Sequence, residues 1–333
     1  MEKFLLATTA IVAFSTAAYA EVTISGNAEL GVAYADNEDD VDLEDGEVGV
    51  DDNALFHTDI DVTFTMTGGT DSGLAFGASV DLSDAIGDGD GAEGTDDDND
   101  DGGVNMFISG GFGVLTMGDT NGALDQATTE VGFNATSIRD AHEHAGWNGV
   151  NGLDGTFDGQ IMRYDYTIGD YTFSASAELD DADIDNSDPV FGVGFSGSID
   201  FAGTALNFGL GYQTSQNEIG DDDDVGTDLD AYAVSLGATF GAITTGIAYQ
   251  NIDGDGTASD NEYIGVGIGY SANALSLHAN YGHEDIEGDN DEGFGITAGY
   301  ELGEGIQLQA GYGFGETGGD DVAAFDFGVR MSF

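Results

Sequence analysis

Phe56-His57-Thr58-Asp59-Ile60-Asp61-Val62-Thr63-Phe64-Thr65-Met66 places mostly apolar residues at even positions and polar ones at odd positions. A strand sends successive side chains to opposite faces, so a period of two marks a strand with one wet and one dry face. Working outward from this stretch, similar runs begin near Val22, Leu74, Val104, Val114, Ile161, Tyr171 and Val190. Others begin near Ala205, Asp230, Ala242, Glu262, Ala274, Gly293, Ile306 and Val322. With Phe56 they make about sixteen strands, taking the roughly 9–11 residues of a membrane-spanning strand as the ruler.

The connections alternate in length. Gly68 to Gly73, Gly110 to Gly113, Gly169-Asp170, Ala202-Gly203, Gly241, Ala272-Asn273 and Gly303-Glu304 are short. Ala35 to Ala54, Ser83 to Gly103, Thr120 to Gly159, Asp180 to Pro189 and Thr214 to Thr227 are long and acidic, with smaller acidic loops around Asp255, Asp289 and Asp320. Short turns on one side and long loops on the other are the pattern of an antiparallel transmembrane barrel. The only proline, Pro189, sits just before a strand, where no ladder hydrogen bond is lost.

Charge parity says which face is wet. Glu29, Asp59, Asp61, Asp81, Arg163, Asp165, Glu178, Asp200, Glu301, Asp326 and Arg330 all share the polar parity of their strands. A Lys or Arg facing lipid at the midplane costs about 2–4 kcal/mol and an acid somewhat less, so the apolar face is the outer one. Asp230 breaks the rule, but at a strand rim. Tyr34, Tyr212, Tyr249, Tyr281 and Tyr312 fall near loop-side strand ends, and Tyr166, Tyr270 and Tyr300 near turn-side ends. Two Tyr bands match the girdles of a membrane barrel. The predicted fold is an all-β, antiparallel transmembrane β-barrel of about 16 strands.

The first twenty residues read as a secretory signal peptide: Lys3, an apolar run from Phe4 to Phe14, then Ala18-Tyr19-Ala20 before the cut. The barrel domain is then 21–333. With no Cys, disulfides and thiolate chemistry are excluded. Asp+Glu number 65 against 4 Lys+Arg, a formal net charge of −61. Glu2 and Lys3 leave together with the signal peptide, so the mature net is unchanged. Such a surface excludes nucleic acid, whose phosphates require Lys and Arg. It also repels itself unless cations are abundant, which points to a saline habitat and halophilic adaptation. With 40% hydrophobic and 10% aromatic residues, the chain is too apolar to be a disordered polyanion.

Three stretches carry a resemblance. Glu21-Val-Thr-Ile-Ser-Gly-Asn-Ala-Glu-Leu-Gly-Val-Ala-Tyr34 opens the barrel, and Met106-Phe-Ile-Ser-Gly-Gly-Phe-Gly-Val-Leu-Thr-Met-Gly-Asp119 forms a hairpin. Phe325-Asp-Phe-Gly-Val-Arg-Met-Ser-Phe333 ends it with alternating aromatics and a terminal Phe. Together they resemble the trimeric general diffusion porins of Gram-negative bacteria, particularly those of Rhodobacter-type alphaproteobacteria. The resemblance implies sixteen strands, a homotrimer in outer-membrane lipid, and a long third loop, Thr120 to Gly159, folded into the lumen as a constriction. Such porins usually face loop acids with a cluster of basic wall residues, and here that basic half is thin.

The constriction candidates are Asp119, Asp125, Glu130, Asp140, Glu143, Asp154 and Asp158, with Arg139, Arg163 and Arg330 as cationic partners. Rings of charge set selectivity in a pore, which motivates the choice. Local pairing of the two wall arginines with acids such as Asp165 or Asp326 is the plainer reading. His142 and His144 with Asp140 and Glu143 match no established zinc spacing, so no metal site is assigned. No cofactor is required. The Asp96 to Asp101 run and Asp253 to Glu262 lack EF-hand spacing but suit weak Ca or Mg binding.

The function expected is passive passage of inorganic cations and small hydrophilic solutes through a water-filled outer-membrane channel. The sequence has neither a Gly-x-Ser-x-Gly elbow nor HExxH, so an enzyme is not expected. The alternative is a structural or cation-binding surface barrel without conductance, which would need a packed plug. Gly209, Gly211, Gly265, Gly267 and Gly269 on the lumen face argue against one. A substrate-specific channel would need aromatics along the lumen, and most here have outward parity.

Overall fold

The computed structural model describes residues 20–37, 54–82, 103–156, 160–179, 189–217, 227–254, 260–286, 289–317 and 319–333. The signal-peptide reading, the acidic runs at Asp96 to Asp101 and Asp221 to Asp224, and Asp158 lie outside the described residues.

Sixteen strands run in chain order: β1 (Ala20–Asn37), β2 (Leu55–Gly69), β3 (Ala75–Asp81), β4 (Val104–Gly110), β5 (Gly113–Asp119), β6 (Gln160–Ile168), β7 (Tyr171–Glu178) and β8 (Val190–Phe201). They continue as β9 (Thr204–Asn217), β10 (Thr227–Phe240), β11 (Ile243–Gly254), β12 (Asn261–Ala272), β13 (Leu275–Ile286), β14 (Asp289–Gly303), β15 (Ile306–Thr317) and β16 (Asp320–Ser332). Each pairs antiparallel with its sequence neighbours, and β1 pairs with β16 to close the barrel. Closure removes every free sheet edge, which a bilayer requires because it offers backbone groups no water. Phe333 completes the seam by exchanging backbone hydrogen bonds with Gly26.

The short connections fall where the turn chemistry put them. Ala202 and Gly203 link β8 to β9 with both residues at positive φ, 54° and 83°. That is the geometry of a two-residue hairpin whose twist matches the flanking strands, and glycine adopts it without steric cost.

The parity reading is plain on β2 and β12. In β2, Phe56 is 93% exposed and Ile60 70%, while Thr63 on the other face is 6% exposed. On β12, Ile264, Val266, Ile268 and Tyr270 are exposed and alternate with Tyr263 and the buried glycines 265, 267 and 269. The apolar face therefore points away from the protein and the polar face into the barrel. Asp230, the exception, lies beside Tyr212, whose hydroxyl donates to its Oδ1 at 2.6 Å. Tyr212 stacks on Tyr232 there, so an outward charge is held by a ring of the interfacial type.

The buried hydrophobic cluster is not between two sheets. It joins Leu124, Val131, Val150 and Leu153, all between β5 and β6, to Val190, Ala231, Ala233, Ala248 and Tyr263 on the wall. The core of this barrel is a segment lying against its inner face.

Candidate functional site

The segment 120–156 contains one short helix, α1 (Ala123–Ala127), and is otherwise irregular. Irregular backbone must still satisfy its N–H groups. Here inner-wall side chains accept them one after another round the barrel. Ala123 donates to Ser176 Oγ on β7 at 2.8 Å, Thr129 to Ser235 Oγ on β10 at 2.9 Å, and Thr136 to Thr297 Oγ1 on β14 at 3.0 Å. On the return, Gly152 donates to Gln250 Oε1 at 2.8 Å, Leu153 to Gln213 Oε1 at 2.7 Å and Gly155 to Glu178 Oε2 at 3.2 Å.

The densest attachment is Asp326 on β16, which is wholly buried. Its carboxylate accepts the backbone N–H groups of Ile138 (3.3 Å), Arg139 (3.3 Å) and Ala141 (3.1 Å), together with the Ser137 hydroxyl. A carboxylate taking several N–H donors is a strong, charge-assisted anchor.

Glycines on the inner wall let the segment come close. A Cβ added at Gly194, Gly209, Gly267, Gly295 or Gly313 would collide with the backbone oxygen of Ala123, Ala127, Val131, His142 or Ala141, respectively. The lumen glycines thus have a different use from the one their size suggested. They seat the segment, so their abundance is not a measure of empty space.

The candidate residues divide by what they touch. Asp119, Arg139, Asp140 and Glu143 are exposed, and Glu130 is partly so. Asp119 also accepts the Gly103 N–H through Oδ2 at 2.7 Å. Asp125 is buried in α1. Asp154 accepts from Gly122 N (2.7 Å) within the segment and from Gln213 Nε2 on the wall. Burial pushes the Asp154 carboxyl up to about 7. Those two hydrogen bonds oppose the shift, and the charges of Asp125 and Glu178 reinforce it.

Arg163 is 7% exposed, bonded through Nε to Asp165 Oδ2 at 2.9 Å and through Nη1 to Thr120 Oγ1 at 3.2 Å and the Asn121 carbonyl. The structure therefore places it beneath the start of the segment, in the local pairing that was its plainer reading. Arg330 meets Glu29 at 3.3 Å, and His57 approaches the same carboxylate at 3.7 Å.

Sequence reasoning missed the wall residues that hold the segment: Asp326 as an anchor, and Ser176, Gln213, Ser235, Gln250 and Thr297. Their only signal was lumen parity combined with a hydrogen-bonding side chain. It also missed a buried aromatic and imidazole group. His142 lies edge-on to Trp147, ring centroids 5.8 Å apart, and to His278 of β13 at 6.0 Å. Burial pushes the His144 imidazole down to about 4, so it is neutral at neutral pH.

A closed antiparallel barrel, apolar outside and polar inside, with an inner segment carrying charge, defines the class: a transmembrane β-barrel built as a channel. The chain matches the Gram-negative porin family over residues 7–320 and belongs to that family. It is 27% identical over 335 residues to the porin of Rhodobacter capsulatus, covering 94% of this chain and all of that one. A solved porin structure refined at 1.8 Å superposes with a TM-score of 0.71 at 23% identity, over 94% of this chain and all of that one. An anion-selective porin from Comamonas acidovorans shares the fold at 15% identity and TM-score 0.65, over 95% of this chain and all of the other. The protein is thus an outer-membrane channel of the porin type, and its relatives are channels and not enzymes.

Proposed function

We propose that this porin is a passive channel for ions and small hydrophilic solutes that prefers cations, with the segment 120–156 as its constriction. One observation carries the reading: the segment is tied to the inner wall while Arg139, Asp140 and Glu143 remain exposed on it. Two exposed acids against one base, in a chain of net charge −61, concentrate cations at the narrowest point. Fold alone does not set this preference, since the anion-selective relative has the same architecture. Charge placement must decide it. A homotrimer in outer-membrane lipid, weak Ca or Mg binding by the acidic loops, and a saline habitat belong to the same proposal, supported by the family resemblance and the acidic composition.

The test is single-channel recording in a planar bilayer under a potassium chloride gradient. Stepwise conductance with a potassium-selective reversal potential is the expected result. A chloride-selective potential would overturn the cation preference. Silence from well-folded barrel would favour a non-conducting surface role.

A further inference from the structure

We propose that Asp140, His142 and Glu143 form a binding site for a divalent transition-metal ion of the zinc, nickel or copper type. Residues 140–143 make a turn closed by the Glu143 N–H donating to the Asp140 carbonyl at 2.8 Å. The turn gathers one ligand atom from each of the three side chains, all within 4.8 Å of one another. Small side-chain rotations would draw them in to the ~2.0–2.2 Å of zinc–nitrogen and zinc–oxygen bonds.

A second observation concerns the imidazole. His142 is only 6% exposed, and its Nδ1 is buried without a hydrogen-bond partner. A ring held in place beside two carboxylates offers a mixed nitrogen and oxygen donor set to a cation. Packing already fixes the ring, between Trp147 and His278. The wall's Asn280 holds the same residue through its backbone carbonyl at 3.4 Å. The exposed carboxylates leave the remaining coordination positions open to water or solute.

The donor set selects the metal. Calcium and magnesium take oxygen ligands, whereas an imidazole with two carboxylates suits zinc, nickel or copper. The sequence spacing alone matched no zinc pattern, because the turn and the buried ring, not a helical repeat, bring these ligands together.

Trp147 is the only tryptophan in the chain and lies 5.8 Å from the His142 ring, so it reports on the site directly. Purified barrel in detergent would be titrated with copper(II) or nickel(II) in a large excess of calcium while Trp emission is followed. Saturable quenching at one ion per chain is expected. It should weaken by about tenfold or more in Asp140→Asn/Glu143→Gln and in His142→Gln, and persist in His144→Gln. Because Asp140 and Glu143 are exposed, the double variant keeps the buried packing intact even if His142→Gln disturbs it. Quenching unchanged in the double variant, abolished by calcium, or lost only in His144→Gln would overturn the site.

Discussion

Asp154 and Asp326 are both acids turned toward neighbours within the barrel, yet they sit in opposite electrostatic situations. Asp326 is surrounded by N–H donors, whereas Asp154 has two donors and two nearby acids. The Asp154 carboxyl, ordinarily near 3.8, titrates near 7 in the folded protein. A raised folded-state value means that its stabilising contribution is full below the ordinary value and is lost as pH rises through about 7. Asp154→Asn cannot ionise, so its unfolding temperature should gain on the parent between about pH 4 and about pH 7. Parallel pH curves for the two proteins would refute this. At Asp326, truncation to Ala removes the acceptor of the Ile138 and Arg139 N–H groups and of the Ser137 hydroxyl, while Ala141 N–H keeps its second acceptor, Ser137 Oγ at 3.0 Å. A buried orphan costs about 1–3 kcal/mol. Asp326→Ala should therefore lower resistance to urea unfolding and make channel current noisier, and Asp326→Asn should do so less. Quiet, parent-like current in Asp326→Ala would show that this anchor does not hold the segment.

At the scale of the element, the segment 120–156 has only α1 and single turns of its own and depends on the wall for its remaining hydrogen bonds and for its seat. The glycine positions make that dependence testable. Gly267 faces the Val131 carbonyl, and a branched side chain there has nowhere to go unless the segment moves. Gly267→Val should displace the segment and change single-channel conductance by a measurable factor. Val266→Ala, one residue along but on the exposed outer face, should leave conductance unaltered. Equal conductance in parent and Gly267→Val would mean that the segment does not control flow. The strands themselves should tolerate the change, because their ladders are made by backbone atoms that the substitution does not touch.

Charge outweighs every other feature of the whole molecule. A net of −61 on 333 residues is self-repelling. Screening shortens the range of that repulsion from about 10 Å at 0.1 M salt to about 3 Å at 1 M. The unfolding temperature should therefore rise with sodium chloride over this range, in contrast to proteins held by surface ion pairs. A flat or falling response would count against the halophilic reading. The barrel hydrogen bonds provide the frame that lets such a chain fold, since every strand has two partners and no edge is left to fray.

The sequence by itself determined the barrel: the number of strands, the alternation of faces, and most of the short turns, although the loops read around Asp289 and Asp320 are strand starts, β14 opening at Asp289 and β16 at Asp320. These follow from local physics, because a two-residue period and a two-residue turn are specified within about ten residues. The roles of individual acids in 120–156 were not legible in the same way. That stretch has no period, and its contacts are with residues far along the chain: Ala123 with Ser176, 53 positions away, and Ser137 with Asp326, 189 away. In the sequence, Asp125, Asp154 and Arg163 were charged candidates of the same standing as Asp140 and Glu143. Only the tertiary structure buried Asp125 and Arg163, half-buried Asp154 against Gln213, and left the other two exposed, because closing the barrel decides which wall side chains lie opposite each turn of the segment.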